Sequence, residues 1–186
     1  MVRTLVESAG PKMEKAIERF GEELKSLRTG RASTALLDGI RVEYYGAVQP
    51  LKAMAQINTP DARTIAVTPW DKGAMGPVEK AIREDQSLGL NPMNDGSVIR
   101  ITIPPMTEER RKEVVKALGG KVEECRIHLR NIRHDVLNEV KRMEKAKEAT
   151  TDDVKFAEAE LNKLIDRFQK KIEELEAVKA KEIMEV

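Results

Sequence analysis

The chain reads as an α+β protein of two domains, an elongated antiparallel three-helix bundle with a small β/α/β lobe inserted into it. Three observations predict this. Between residues 107 and 147 the apolar positions Val115, Leu118, Val122, Cys125, Leu129, Ile132, Val136, Val140 and Met143 recur at steps of three and four, the alternation of a helix that packs along its whole length. Two further segments, one near each end of the chain, carry the same pattern. Between the first and second helical segments the period shortens to two, and glycine and proline punctuate it, as in strands and turns. At 1.5 Å per residue, a helix of about 40 residues spans roughly 60 Å. Ordinary globular helices run to three or four turns, so this one needs partners along its length.

The elements follow in order. Met13, Ile17, Phe20, Leu24 and Leu27 define the first helix, and Leu5 and Val6 allow an earlier start. Pro11 suits an early helical position, where a missing N–H costs little. The pattern stops at Arg28-Thr29-Gly30-Arg31. Gly30 is the expected C-terminal glycine, and Arg28 complements the negative end of the helix dipole. Ile40, Val42 and Tyr44 alternate between Gly39 and Gly46, which reads as a strand, a turn and a return strand over about 48–54. Residues 63–68 (RTIAVT) form another β-rich run, closed by Pro69. Met75, Val78 and Ile82 predict a short helix over about 76–85. Residues 88–96 (LGLNPMNDG) are dense in turn formers. Residues 98–103 (VIRITI) make the last strand, ended by Pro104-Pro105, since proline supplies no ladder donor.

Thr107 then caps the long helix, with Glu108 and Glu109 favourable in its first turn. Gly119-Gly120 falls inside it, each glycine costing about 1 kcal/mol against alanine. The apolar phase continues across the pair, so a soft spot or slight bend is expected rather than a break. Thr150-x-x-Asp153 reads as a capping box. The last helix follows with the seam Val154, Ala157, Leu161, Leu164, Phe168, Ile172, Leu175 and Val178.

The first helix can meet the last two only if the intervening residues form a separate lobe. The expected domains are residues 1–30 with 105–186 as the bundle, and 31–104 as the lobe. The chain leaves and returns through Thr29, Gly30 and Arg31 and through Pro104, Pro105 and Met106, and two short connections of this kind make a hinge.

Composition narrows the function. In 186 residues, 40% hydrophobic and 35% charged, a net charge of +1 hides an asymmetry. Residues 106–151 hold 12 Lys/Arg against 9 Asp/Glu, and residues 152–186 hold 7 against 10, so the bundle can present a basic and an acidic side. With Trp70, two tyrosines and three phenylalanines, the chain lacks the rings of a single-strand stacking platform. Cys125 falls at a core position and reads as a small buried hydrophobe, and a single cysteine makes no internal disulfide. There is no apolar run of membrane-spanning length and no signal-peptide pattern at the start, so a cytoplasmic location is expected.

Catalysis finds no support. Neither a P-loop, a GxGxxG fingerprint nor an HExxH pattern occurs. His128 and His134 lie about 240° apart around a helix and share no metal. His134 and Asp135 are adjacent, point apart and have no nucleophile beside them. No catalytic residue, metal or cofactor is assigned.

What remains is charge. Arg126, Arg130 and Arg133 form one stripe beside the apolar seam, with no acid between Cys125 and His134. The stripe is either a solvated face or a docking face for a polyanion. Arg28 and Arg31 would extend it if the end of the first helix packs beside the middle of the long one. Arginines on a rigid helix with few aromatics suit phosphate and shape recognition of folded RNA. A non-enzymatic coiled-coil scaffold binding an acidic or helical protein partner would carry much the same charges. The seams suffice for an intramolecular bundle, so a monomer is expected.

Eight short segments decide between these readings: 27–33 (LRTGRAS), 36–40 (LLDGI), 42–46 (VEYYG), 69–71 (PWD), 78–82 (VEKAI), 88–92 (LGLNP), 107–112 (TEERRK) and 130–135 (RNIRHD). In this order and spacing the chain resembles bacterial ribosome recycling factors over essentially its full length. The resemblance implies a factor that enters the ribosome after termination and lies along the large subunit, held by arginine contacts to ribosomal RNA. With elongation factor G and GTP it splits the ribosome into subunits, freeing mRNA and deacylated tRNA. The family's RNA-contacting arginines correspond to Arg28, Arg31, Arg130 and Arg133, and its hinge to the two connections named above. Two departures stand out. His134 takes a place where relatives often carry a second arginine, and Gly119-Gly120 is unusual in this helix.

Overall fold

A computed structural model describes residues 1–185. In chain order its helices and strands are α1 (Val2–Glu7), α2 (Ala9–Lys25), β1 (Arg41–Tyr44), β2 (Ala47–Pro50), α3 (Leu51–Met54), β3 (Ala55–Asp61), β4 (Thr64–Pro69), α4 (Met75–Glu84), β5 (Pro92–Asn94), β6 (Ile99–Thr102), α5 (Glu108–Lys145) and α6 (Thr151–Met184). The fold is α+β, with long helices and a small antiparallel sheet. The chain divides into two compact units, one of Met1–Leu27 with Lys112–Glu185 and one of Arg28–Arg111.

The first unit is helical. Ser8 keeps a helical backbone between α1 and α2, and its hydroxyl donates to the Leu5 carbonyl at 2.6 Å. Met13, Phe20 and Leu24 of α2 are buried with Leu118, Leu129 and Val140 of α5 and Leu161, Phe168 and Ile172 of α6. Burying one such side chain contributes about 1.5–3 kcal/mol. Cross-helix ion pairs flank this core: Lys171 with Glu14 at 3.0 Å, Lys121 with Glu23 at 3.6 Å and Lys141 with Glu158 at 3.8 Å. Lys147 takes a left-handed φ of 61° after α5, and the Glu148 and Ala149 N–H groups return to the Met143 carbonyl. That closes the helix end. The expected capping box then starts α6, with reciprocal bonds between Thr150 and Asp153.

Three expectations about the helices need correction. α2 ends at Lys25, with Ser26 as its cap. Gly30, at φ 77°, lies beyond the helix and does not terminate it. In α5, Val114 rather than Val115 is buried, and Val115 is 42% exposed. In α6 the buried set takes Ile165 and Ile183 and leaves Val178 59% exposed, while Leu164 and Leu175 are half-buried. The buried residues from Val154 to Ile172 recur every 3.6 residues on average, the period of a straight helix. A strict seven-residue pattern drifts off that stripe by about 20° per heptad. Gly119-Gly120 sits inside the uninterrupted α5.

The second unit is built on a four-stranded antiparallel sheet in the order β3-β4-β6-β5, with β1 and β2 as a separate hairpin. Ile65 and Val67 of β4 and Ile99 and Ile101 of β6 pack with Val78 and Ile82 of α4. The return strand expected over 48–54 is shorter. β2 stops at Pro50, and Leu51–Met54 is a turn of helix that delivers the chain into β3. Tyr45 (φ 50°) and Gly46 (φ 73°) form the hairpin turn. The Tyr44 hydroxyl donates to Asp71 Oδ2 at 2.6 Å, and the Gly73 N–H donates to Asp71 Oδ1 at 2.9 Å. This ties the hairpin to the end of β4. A Cβ at Gly73 would come within 2.9 Å of the Tyr44 hydroxyl, so the tie requires glycine there.

Candidate nucleic-acid interface

At 100° per residue, Arg126, Arg130 and Arg133 fall within about 60° of one face of α5. That face borders the buried stripe of Val122, Leu129 and Val136. Arg126 and Arg133 are accordingly half-buried and Arg130 is exposed. A long arginine stem can cover apolar surface while its head reaches water.

The three guanidiniums are held differently. Arg126 makes no hydrogen bond or ion pair among the described residues. Arg130 Nη2 pairs with Glu123 Oε1 at 2.6 Å, both side chains about half exposed. Arg133 Nη1 donates to Asn162 Oδ1 of α6 at 3.1 Å. Sequence reasoning missed both partners. Glu123 lies seven residues before Arg130, on the same face of the helix, and that spacing was the available signal. Asn162 sits on another helix, and nothing in the spacing of α5 points to it.

Arg28 and Arg31 belong to the second unit. Arg28 is exposed and donates from Nη2 to the Ser87 carbonyl. Arg31 is exposed and has no side-chain partner among the described residues. Of the other residues expected at a hinge, Thr29 is buried and Gly30 holds a left-handed backbone. Residues 28–31 and 104–106 make no backbone–backbone hydrogen bond among the described residues. The lobe's own bonding begins at the Ala32 N–H, which donates to the Ala62 carbonyl at 2.7 Å, and ends at the Ile103 N–H, which donates to the Arg63 carbonyl at 2.7 Å.

His128 and His134 are exposed. A shallow groove of about 260 Å³ between α2 and α5 is lined by Phe20, Glu23, Cys125, Ile127 and His128. Burial, with Glu23 adding to it, pushes the Cys125 thiol up to about 11. It is therefore a thiol and not a nucleophilic thiolate at neutral pH. No group of three or more His, Cys, Asp or Glu among the described residues is placed to hold a metal. No described helix is long and apolar enough to cross a membrane. In the lobe, a groove of about 880 Å³ between the hairpin and α4 is lined by Arg41, Glu43, Tyr45, Val48 and Lys80 among others. Its mixed charges single out no ligand. The chemistry the α5 face offers is a row of guanidinium donors spaced along a rigid rod, which suits a row of phosphates.

The sequence model of the ribosome recycling factor family matches residues 20–184. The ribosome-recycling factor of Oleidesulfovibrio alaskensis is 49% identical over 183 residues, covering 98% of this chain and 99% of that one. That of Symbiobacterium thermophilum is 46% identical over 186 residues, covering all of both. A solution structure of a ribosome recycling factor superposes with a TM-score of 0.79 at 41% identity, covering 100% of this chain and 98% of that one. A T. thermophilus ribosome recycling factor, described with E. coli elongation factor G bound to the E. coli post-termination complex, superposes with a TM-score of 0.66 at 43% identity. It covers 99% of both chains.

Proposed function

The chain belongs to the ribosome recycling factor family, and from that premise we propose that it recycles the ribosome after translation termination. It binds the post-termination ribosome and, with elongation factor G and GTP, splits it into subunits, releasing mRNA and deacylated tRNA. The observation that carries this reading is the full-length likeness to a factor described on the post-termination complex together with elongation factor G.

The residues supply a physical route. Arg126, Arg130 and Arg133 bind phosphates of folded ribosomal RNA on the large subunit, and Arg28 and Arg31 add contacts near the start of the lobe. Such recognition goes through backbone and shape rather than base edges. Each charge-assisted bond contributes about 1.5–3 kcal/mol. The lobe moves against the bundle about Thr29–Arg31 and Pro104–Met106, a reading supported by the lack of backbone–backbone hydrogen bonds there among the described residues. Elongation factor G spends the GTP and supplies the force. The chain itself catalyses nothing and works as a monomer in the cytoplasm.

The reading is tested by incubating post-termination ribosomes with this protein, elongation factor G and GTP, then sedimenting them. Separate subunits are expected with all three present, and intact ribosomes when any one is omitted. Intact ribosomes in the complete mixture would refute the reading. For the RNA face, Arg133→Ala should leave the circular dichroism spectrum intact and weaken large-subunit binding by about tenfold or more. Unchanged affinity at moderate salt would remove Arg133 from the face.

A further inference from the structure

We infer that Asn162, on α6, is a positioning residue for Arg133, presetting its guanidinium to meet an RNA phosphate with its charge intact. The inference rests on the RNA-face reading and adds a residue from a different helix to it.

Asn162 is a poor choice for the fold alone. It is exposed in the middle of α6, next to the buried Leu161 but outside the buried stripe. Asparagine is disfavoured at such a site, where alanine would suit the helix better. Its carboxamide oxygen accepts from Arg133 Nη1 at 3.1 Å, the one side-chain hydrogen bond it makes among the described residues. That bond spends one of the five guanidinium donors and leaves the rest for a ligand. Because the partner is an amide, the arginine keeps its full positive charge. Arg130 shows the contrast: its partner Glu123 is a carboxylate that neutralises it. The stripe therefore holds one arginine oriented and charged, one masked, and one, Arg126, with no partner among the described residues.

Orientation has a measurable value. A free arginine loses rotamer freedom when it docks, and one already held by a neighbour loses less. Asn162→Ala should weaken binding to large ribosomal subunits by about twofold to tenfold, without lowering the thermal midpoint. A merely structural role would move the midpoint down and the affinity little. The decisive comparison is a double-mutant cycle in the full-length protein. In the Arg133→Ala background, Asn162→Ala should have no further effect on affinity. Asn162→Asp should weaken binding more than Asn162→Ala in the native background, because a carboxylate would mask Arg133.

If Arg133→Ala weakens binding and Asn162→Ala does not, the positioning role is overturned while the RNA face stands. An Asn162→Ala effect that persists undiminished in the Arg133→Ala background also overturns it. If Arg133→Ala leaves affinity unchanged, the RNA-face reading falls and this inference with it.

Discussion

Glu123 offers a perturbation whose sign runs against intuition, since removing a contact should improve binding. Its carboxylate holds Arg130 at 2.6 Å, with both side chains about half exposed. An exposed pair of this kind contributes about 0.2–1 kcal/mol. On the proposed RNA face, that energy is surrendered when Arg130 turns to a phosphate, and the freed carboxylate would then repel the phosphates around it. Glu123→Gln keeps the shape and removes the charge. Binding to large subunits should tighten by about 1.5- to 5-fold at low salt. Folding stability should fall by no more than about 1 kcal/mol. The assay is equilibrium sedimentation of labelled protein with subunits across a salt series. Affinity at low salt that is unchanged or weaker would show that Glu123 does not mask Arg130. So would a gain just as large in the Arg130→Ala background.

Further outcomes concern stability. A Cβ on Gly119 or Gly120 meets nothing within 4 Å, so Gly119→Ala and Gly120→Ala should each stabilise the protein by about 1 kcal/mol, read as a raised midpoint in chemical denaturation. Thr150→Ala removes the hydroxyl of the α6 capping box and should cost about 0.5–2 kcal/mol in the same measurement. The Tyr44 hydroxyl, and next the Gly73 N–H, hold the Asp71 carboxyl below the ordinary carboxylate range. A lowered folded-state value gives stability that is complete above the unfolded-state value, near 4, and lost as pH falls through the folded one. Tyr44→Phe should therefore flatten the loss of thermal stability in acid below about pH 4; an unaltered acid slope would show that the tie does not set it.

The fold was legible where burial imposes a period. The four-residue and three-residue steps of Met13, Ile17, Phe20 and Leu24 match the buried face of α2. The two central strands, β4 and β6, were visible as runs of β-branched residues because both lie inside the sheet. The edge strands were not. β3 carries Asn58, Thr59, Pro60 and Asp61, and most of its residues are exposed. β5 is three residues long. An edge needs little apolar surface and tolerates proline, so pattern alone reads it as loop. Adjacent valines hid the phase of α5, since Val114 and Val115 both fit a step to Leu118. In the candidate site, the stripe of three arginines followed from helix geometry. The Asn162 partner did not, because it meets Arg133 through tertiary packing.

The most direct measurement is rapid-mixing light scattering on post-termination ribosomes. Scattering should fall only when this protein, elongation factor G and GTP are all present, and the fall should be slower in the variant with Arg126, Arg130 and Arg133 all changed to alanine. A fall that proceeds equally well in that variant would contradict the arginine anchor. No fall with the native chain, under conditions where it binds the ribosome, would contradict the recycling function itself.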